Sequence, residues 1–345
     1  ASLLAAPEDS NMYGIVAPPL SFNDVTTASG TADPIPFDDH TASIVMFLMG
    51  QRITPGEEQI HDLARRADLV RTADVHFQRQ LMADVEGNVL ELHRNVDLLG
   101  FRWDILHTEA HPSRFAACLE ERHRQALPGK PTYTWDASAA IPALLEAGQA
   151  ESVLPCVECE QIFWQGYTAM GAGCKGIGFF KHIPFDDPSP GTEERRVAIS
   201  LLNNHIRLLE RWLATGKPAG TATVQFGDEA PRDDSLPYWV GPLTSRYDPV
   251  RANAAADDAP LTPEATAGRQ VTASLIDSEH GRLVLLNWHH PDMCFQPGRM
   301  HAENVRVLVP GDWTQGWLIT TTCVHPFPLE LRRVGGGAEV RLTQL

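Results

Sequence analysis

Short apolar runs and helix-period segments alternate along the chain from residue 12 to residue 213, and few folds accept that rhythm. "MYGIVAPPL" (12–20) and "SIVMFLMG" (43–50) read as buried strands. The second stops abruptly at Gln51-Arg52. Thr54-Pro55-Gly56-Glu57 then has the form of a capping box with proline at the first helical position. Ile60, Leu63, Ala64, Ala67 and Val70 follow on one helical face. "FQRQLMADV" (77–85), "VDLLGFRWDIL" (96–106), "KPTYTWDAS" (130–138) and "KGIGFFKHI" (175–183) supply four more strands. Helices are expected over 112–127 and 155–171. A long one starts at Thr192, with Val197, Leu201, Leu208 and Trp212 on one stripe. Strand and helix in strict turn predict a parallel sheet with crossover helices.

The texture changes after Trp212. Residues 217–268 are rich in Pro, Asp, Ala and Gly and read as a linker. From Val271 the pattern is all strand, broken by Gly, Pro and Asp turns, which predicts a small antiparallel β-sandwich. The expected organisation is an α/β segment over 1–216, a linker over 217–268 and a β domain over 269–345. A length of 345 residues suits two domains.

The formal net charge of −16 argues against nucleic-acid binding, which needs clustered Lys and Arg. No run approaches the roughly 18 apolar residues of a membrane span. "ASLLAAPEDS" has no basic region of the signal-peptide kind. Localisation stays open, with a secreted or cell-envelope protein compatible. Six cysteines do not make a disulfide scaffold in a chain this long. The one CxxC, Cys156 and Cys159, lacks the second ligand pair of a zinc site. The loop holding His289, His290, Asp292, Cys294 and His301 matches no standard metal spacing. No metal or cofactor is expected.

"GKPTYTWD", "CEQIFWQGYTAMGAGCKGIGFF" and "EERRVAISLLNNHIRLLERWL" together resemble the last two βα units of large retaining (β/α)8-barrel glycoside hydrolases. "VDLLGFRWD" resembles their sixth strand, and the strands of 271–345 their trailing sandwich. The resemblance implies a TIM-type barrel, strands three to eight, followed by an antiparallel β-sandwich. It also implies a carbohydrate substrate. A barrel takes about 250 residues, so this chain would be the C-terminal portion of a longer protein, with an upstream segment or another chain completing the barrel.

In parallel α/β folds the chemistry sits at the carboxyl ends of strands. The residues ending these strands are Gln51 and Arg52; Asp84 and Glu86; Arg102, Trp103 and Asp104; Trp135 and Asp136; Lys181 and His182. Glycoside hydrolysis needs two carboxyl groups, one giving a proton and one acting as nucleophile or base. Asp136, Asp104 and Asp84 are the catalytic candidates. Trp103 and Trp135 are candidate platforms for sugar rings, and Gln51, Arg52, Glu86, Arg102, Lys181 and His182 candidate hydroxyl partners. The resemblance implies a glutamate acid ending the strand at 43–50, where Gln51 stands, and an amide cannot donate as an acid does. A catalytically inactive relative that binds glycan, or serves as an assembly subunit, is the alternative.

Overall fold

The structure, a computed structural model, describes residues 14–16, 44–103, 105–107, 113–138, 157, 159–180, 191–225, 270–289, 303–321 and 323–344. Six strands form one sheet in consecutive order: β1 (Gly14–Val16), β2 (Ile44–Leu48), β3 (Gln80–Asp84), β4 (Leu98–Arg102), β5 (Thr132–Ala137) and β6 (Gly176–Phe180). β1 to β4 pair in parallel. Between strands lie α1 (Glu57–Ala73), α2 (Val89–Asn95), α3 (Ser113–Gln125) and α4 (Cys159–Gly171), and α5 (Thr192–Thr215) follows β6. The strand–helix alternation is therefore present.

Among the described residues the expected portion of a TIM-type barrel, strands three to eight, and its trailing sandwich are not. The first sheet has six strands there, with β1 and β6 at its ends and parallel pairing from β1 to β4. The next strand, β7 (Lys217–Gln225), begins one residue after α5 and joins a different sheet. That second sheet is antiparallel, in the order β13-β14-β10-β7-β8-β9. It contains β8 (Gln270–Ser278), β9 (Gly281–His289), β10 (Glu303–Pro310), β13 (Leu331–Val334) and β14 (Gly337–Gln344). So 217–225, expected as linker, is an inner strand, paired with β8 on one side and β10 on the other. Its glycine and proline mark a β-bulge, since register slips between Pro218 and Thr221 and Gly220 has φ +91°. β11 (Gly316–Thr320) and β12 (Cys323–Leu329) pair with each other as a separate antiparallel two-stranded sheet.

The chain forms two compact units. The first comprises Ala1–Arg102 with Glu121–Thr134. Its core holds Phe47, Leu63, Leu81, Leu92 and Leu99, all fully buried. The periodicity of α1 places Leu63, Ala67, Val70 and Ala73 inward. The expected capping box does not form: Gly56 is the N-cap and no side chain caps the helix. Arg79 and Asp74 make a buried ion pair at 2.6 Å, and Arg79 Nε also donates to the Ile44 carbonyl at 2.9 Å. With every charge answered, this pair closes the turn between α1 and β3.

The second unit comprises Trp103–Glu120 with Trp135–Leu345. One face of its antiparallel sheet packs on α4 and α5. Gly171 lies against Ser274, and Gly216 against Ile276. Asn287 Nδ2 donates to the Trp164 carbonyl at 3.1 Å and to Thr168 Oγ1 at 2.6 Å. The other face buries Ala273, Leu275, Val305, Val307 and Leu342, with Leu318 and Leu329 of the β11–β12 hairpin packed against them. Gly335 and Gly336, both at positive φ, make the two-residue turn from β13 to β14 that such a hairpin requires.

Candidate functional site

In the first unit the site is organised by the backbone of Asp84. Its N–H donates to the Gly50 carbonyl at 3.1 Å, and its carbonyl accepts from Ile53 N–H at 2.8 Å. The two residues between, Gln51 and Arg52, are therefore extruded from the β2–β3 ladder, which resumes at the Ile53–Val85 bridge. Arg52 takes the left-handed conformation, φ +53°, and both side chains are exposed. Arg52 Nε donates to Glu86 Oε1 at 2.7 Å, and Arg122 Nη2 holds the Glu86 carbonyl at 2.7 Å. The ion pair is solvated on both sides and worth at most about 1 kcal/mol. Its effect is to set the position of both side chains.

Asp84 itself is buried and accepts a hydrogen bond from the phenol of Tyr133. The two meet over Gly100 of β4: a Cβ there would lie inside both the Tyr133 ring and the Asp84 carboxyl. Glycine inside a strand marks such a close approach. The result is a carboxyl group at the end of β3 held in one orientation by a buried donor.

In the second unit Asp136 is fully buried on β5, and among the described residues neither carboxyl oxygen has a hydrogen-bond partner. Burial alone pushes its carboxyl well above the usual carboxylate range, so the protonated form is favoured. Trp135, half-buried, lies flat on Gly178 of β6, where no side chain could stand. Trp103 is half-buried and tilts against the buried Phe115, ring centroids 6.4 Å apart, and Phe115 meets Trp164 at 5.5 Å. That continuous packing gives Trp103 a role in the core of this unit. Arg102 is half-buried at the end of β4.

Asp104, Lys181 and His182 lie outside the described residues, as do His290, Asp292, Cys294 and His301 of the histidine-rich loop, and Cys156 of the CxxC. Among the described residues no three His, Cys, Asp or Glu side chains are grouped to hold a metal. No described helix is long and apolar enough to cross a membrane.

Sequence reading missed Tyr133, Gly100 and Arg122. Two of these carried a signal. Tyr133 stands two residues before Trp135 and so shares its face of the strand. Gly100 interrupts an apolar strand with no turn to explain it. Arg122 is one of several basic residues on α3, and nothing local distinguishes it.

The chain matches no protein-family model and no curated protein sequence.

Proposed function

We propose that this protein is a carbohydrate-active hydrolase that cleaves a glycosidic bond with carboxyl groups carried at the ends of its parallel strands, Asp136 giving the proton. One observation carries the reading: a wholly buried carboxyl with no hydrogen-bond partner among the described residues, kept toward its acid form by desolvation. An orphaned polar group of this kind lowers stability, and perturbed acids of this kind are enriched where proton transfer is needed. A carboxylic acid that holds its proton at neutral pH can protonate a departing glycosidic oxygen. The reaction also needs a second carboxyl as nucleophile or base.

The experiment is hydrolysis of a panel of aryl and unactivated glycosides by the parent and Asp136→Asn proteins. With Asp136 as acid, Asp136→Asn slows unactivated substrates at least about a hundredfold. Dinitrophenyl glycosides, whose leaving group needs no proton, suffer far less. An Asp136→Asn protein that matches the parent on every substrate overturns the assignment. A second reading, glycan binding without turnover, draws on Gln51: the exposed residue at the end of β2 carries an amide, not an acid. Saturable glycan binding by a parent that hydrolyses nothing selects that reading.

A further inference from the structure

We infer that the helix-side face of the antiparallel sheet, beyond β8, binds an acidic glycan through Arg306, Arg341 and Arg332. On that face Ser274 and Ile276 of β8 lie on Gly171 and Gly216. Ser274 pairs with Thr221 of β7, so alternation puts Thr223 and Gln225 on the same face. Pairing carries it outward, from Thr223 to Leu308 of β10, Glu339 of β14 and Arg332 of β13. The next row runs from Gln225 to Arg306 to Arg341. α4 and α5 pack on β8 and β9. Farther out, Thr223, Gln225, Arg332 and Arg341 are exposed, and Arg306, Leu308 and Glu339 are half-buried.

Three arginines share one acid there. Arg341 Nε donates to Glu339 Oε1 at 2.9 Å. That bond, with the charges of Arg341, Arg332 and Arg306, holds the Glu339 carboxyl below the usual carboxylate range. One carboxylate offsets one guanidinium, so this face keeps a positive surplus on a chain of net charge −16. Among the described residues Arg306 and Arg332 make no hydrogen bond of their own.

The pairing itself calls for an anion. Arg306 stands directly opposite Arg341, and like charges in that position destabilise a sheet. Elsewhere in the same sheet an arginine faces an acid. Arg282 of β9 is opposite Asp277 of β8 and donates to both its carboxyl oxygens, and Arg332 is opposite Glu339. Only a ligand's negative charge gives Arg306 and Arg341 the same relief.

Guanidinium forks take a carboxylate or sulfate through two parallel hydrogen bonds. Neighbouring strands lie about 5 Å apart, close enough for both arginines to reach one such group. Thr223 and Gln225 add hydroxyl and amide partners, and Leu308 an aliphatic surface. That mixture suits the acid groups, hydroxyls and apolar face of a uronic-acid glycan. A nucleic acid, with its closely spaced phosphates, calls for more cations than this face holds. The choice of a glycan rests on the hydrolase reading; capture of an anion here does not.

The test is fluorescence anisotropy with end-labelled oligogalacturonate, neutral maltooligosaccharide, oligoglutamate and oligothymidylate of matched length, each titrated with the full chain at one ionic strength. Oligogalacturonate binds saturably and more tightly than the other three. Arg306→Gln and Arg341→Gln each weaken it about tenfold. Their urea midpoints stay at or above the parent's, because the like-charge pair is gone. Arg333→Gln removes the same charge from the other face of β13, where Arg333 pairs with Asp312, and leaves binding at the parent's level. Glu339→Gln releases a guanidinium from its internal partner and tightens binding several-fold. Should the arginine variants not fold, Glu339→Gln decides, and unchanged or weaker binding counts against the site. Any of the other three oligomers binding as tightly as oligogalacturonate overturns the proposal. So does equal weakening by Arg333→Gln and Arg306→Gln, or a parent that binds none of the four. No outcome requires turnover, so this proposal and the role of Asp136 fail separately.

Discussion

Two buried titratable groups push stability in opposite directions as pH changes. Asp136 is protonated more readily in the folded chain than in the unfolded one, because burial raises its pKa well above 3.8. Its folded state therefore loses stability as pH rises from about 4 toward the raised value. His93 is the reverse. It is fully buried, its Nδ1 accepts from Leu127 N–H at 3.2 Å, and its pKa is lowered to about 4 by desolvation and the nearby Lys130 charge. The unfolded chain then binds a proton that the folded chain refuses between pH 6.5 and about 4. Stability is complete above that window and falls as pH drops through it, by up to about 1.4 kcal/mol per unit. Urea unfolding at pH 4, 5.5 and 7 checks both. Relative to the parent, Asp136→Asn should gain stability steadily with rising pH. His93→Gln should lose its dependence between pH 4 and 6.5. Parallel curves for all three proteins would contradict both assignments. At this scale the sequence could point to Asp84 and Asp136 as strand-end acids. It could not say that one meets a phenol and that the other has no hydrogen-bond partner among the described residues, because the surroundings of each are set by neighbouring strands.

Among the elements, α5 departs furthest from its sequence pattern. The apolar stripe Val197, Leu201, Leu208 and Trp212 predicts one buried face. The helix instead buries Arg195, Ala198, Leu202, His205 and Leu209 and leaves Val197 54% and Leu208 37% exposed. Packing partners explain the rotation. Leu202 fits against Gly166 of α4, where even a Cβ would press on it, and His205 Nδ1 and the Tyr167 phenol share a hydrogen bond at 2.8 Å. Burial raises that phenol to about 12 and lowers the imidazole, so both groups stay neutral and their hydrogen bond is retained at ordinary pH. The other end of α5 is closed by Lys175, whose Nζ donates to the Leu213 and Gly216 carbonyls, both at 2.6 Å. Lys175→Met leaves those two carbonyls without a charged donor and should destabilise the chain by about 1–3 kcal/mol, read as a shift in the urea midpoint at constant slope. A midpoint within a few tenths of a molar of the parent's would show that the cap is dispensable. By contrast α1 follows its pattern, since Leu63, Ala67 and Val70 face a core of one chemical kind.

On the scale of the molecule, one compact unit holds residues from both sides of the compositional change at residue 216. α4, β6 and α5 belong with the antiparallel sheet in one unit, joined by Asn287, by Ser274 on Gly171 and by Ile276 on Gly216. A defect deep in that sheet should therefore loosen the helices packed on it. Leu275→Ala, at a fully buried site, should cost about 2–5 kcal/mol. Amide exchange in α4 and α5 should accelerate together with exchange in β8 and β9. Helices that keep the parent's protection while the sheet loses its own would show that they open independently. The alternation of strands and helices, the all-strand C-terminal part, the buried face of α1 and the two-glycine turn were readable from residue order, because each depends on periodicity or φ preference within a few neighbours. How many strands share the parallel sheet, the enlistment of 217–225 as an inner strand, the orientation of α5, and the surroundings of Asp84 and Asp136 were not. Those depend on pairing edges and packing faces contributed by residues far away in the chain, and no local pattern encodes which distant partner wins.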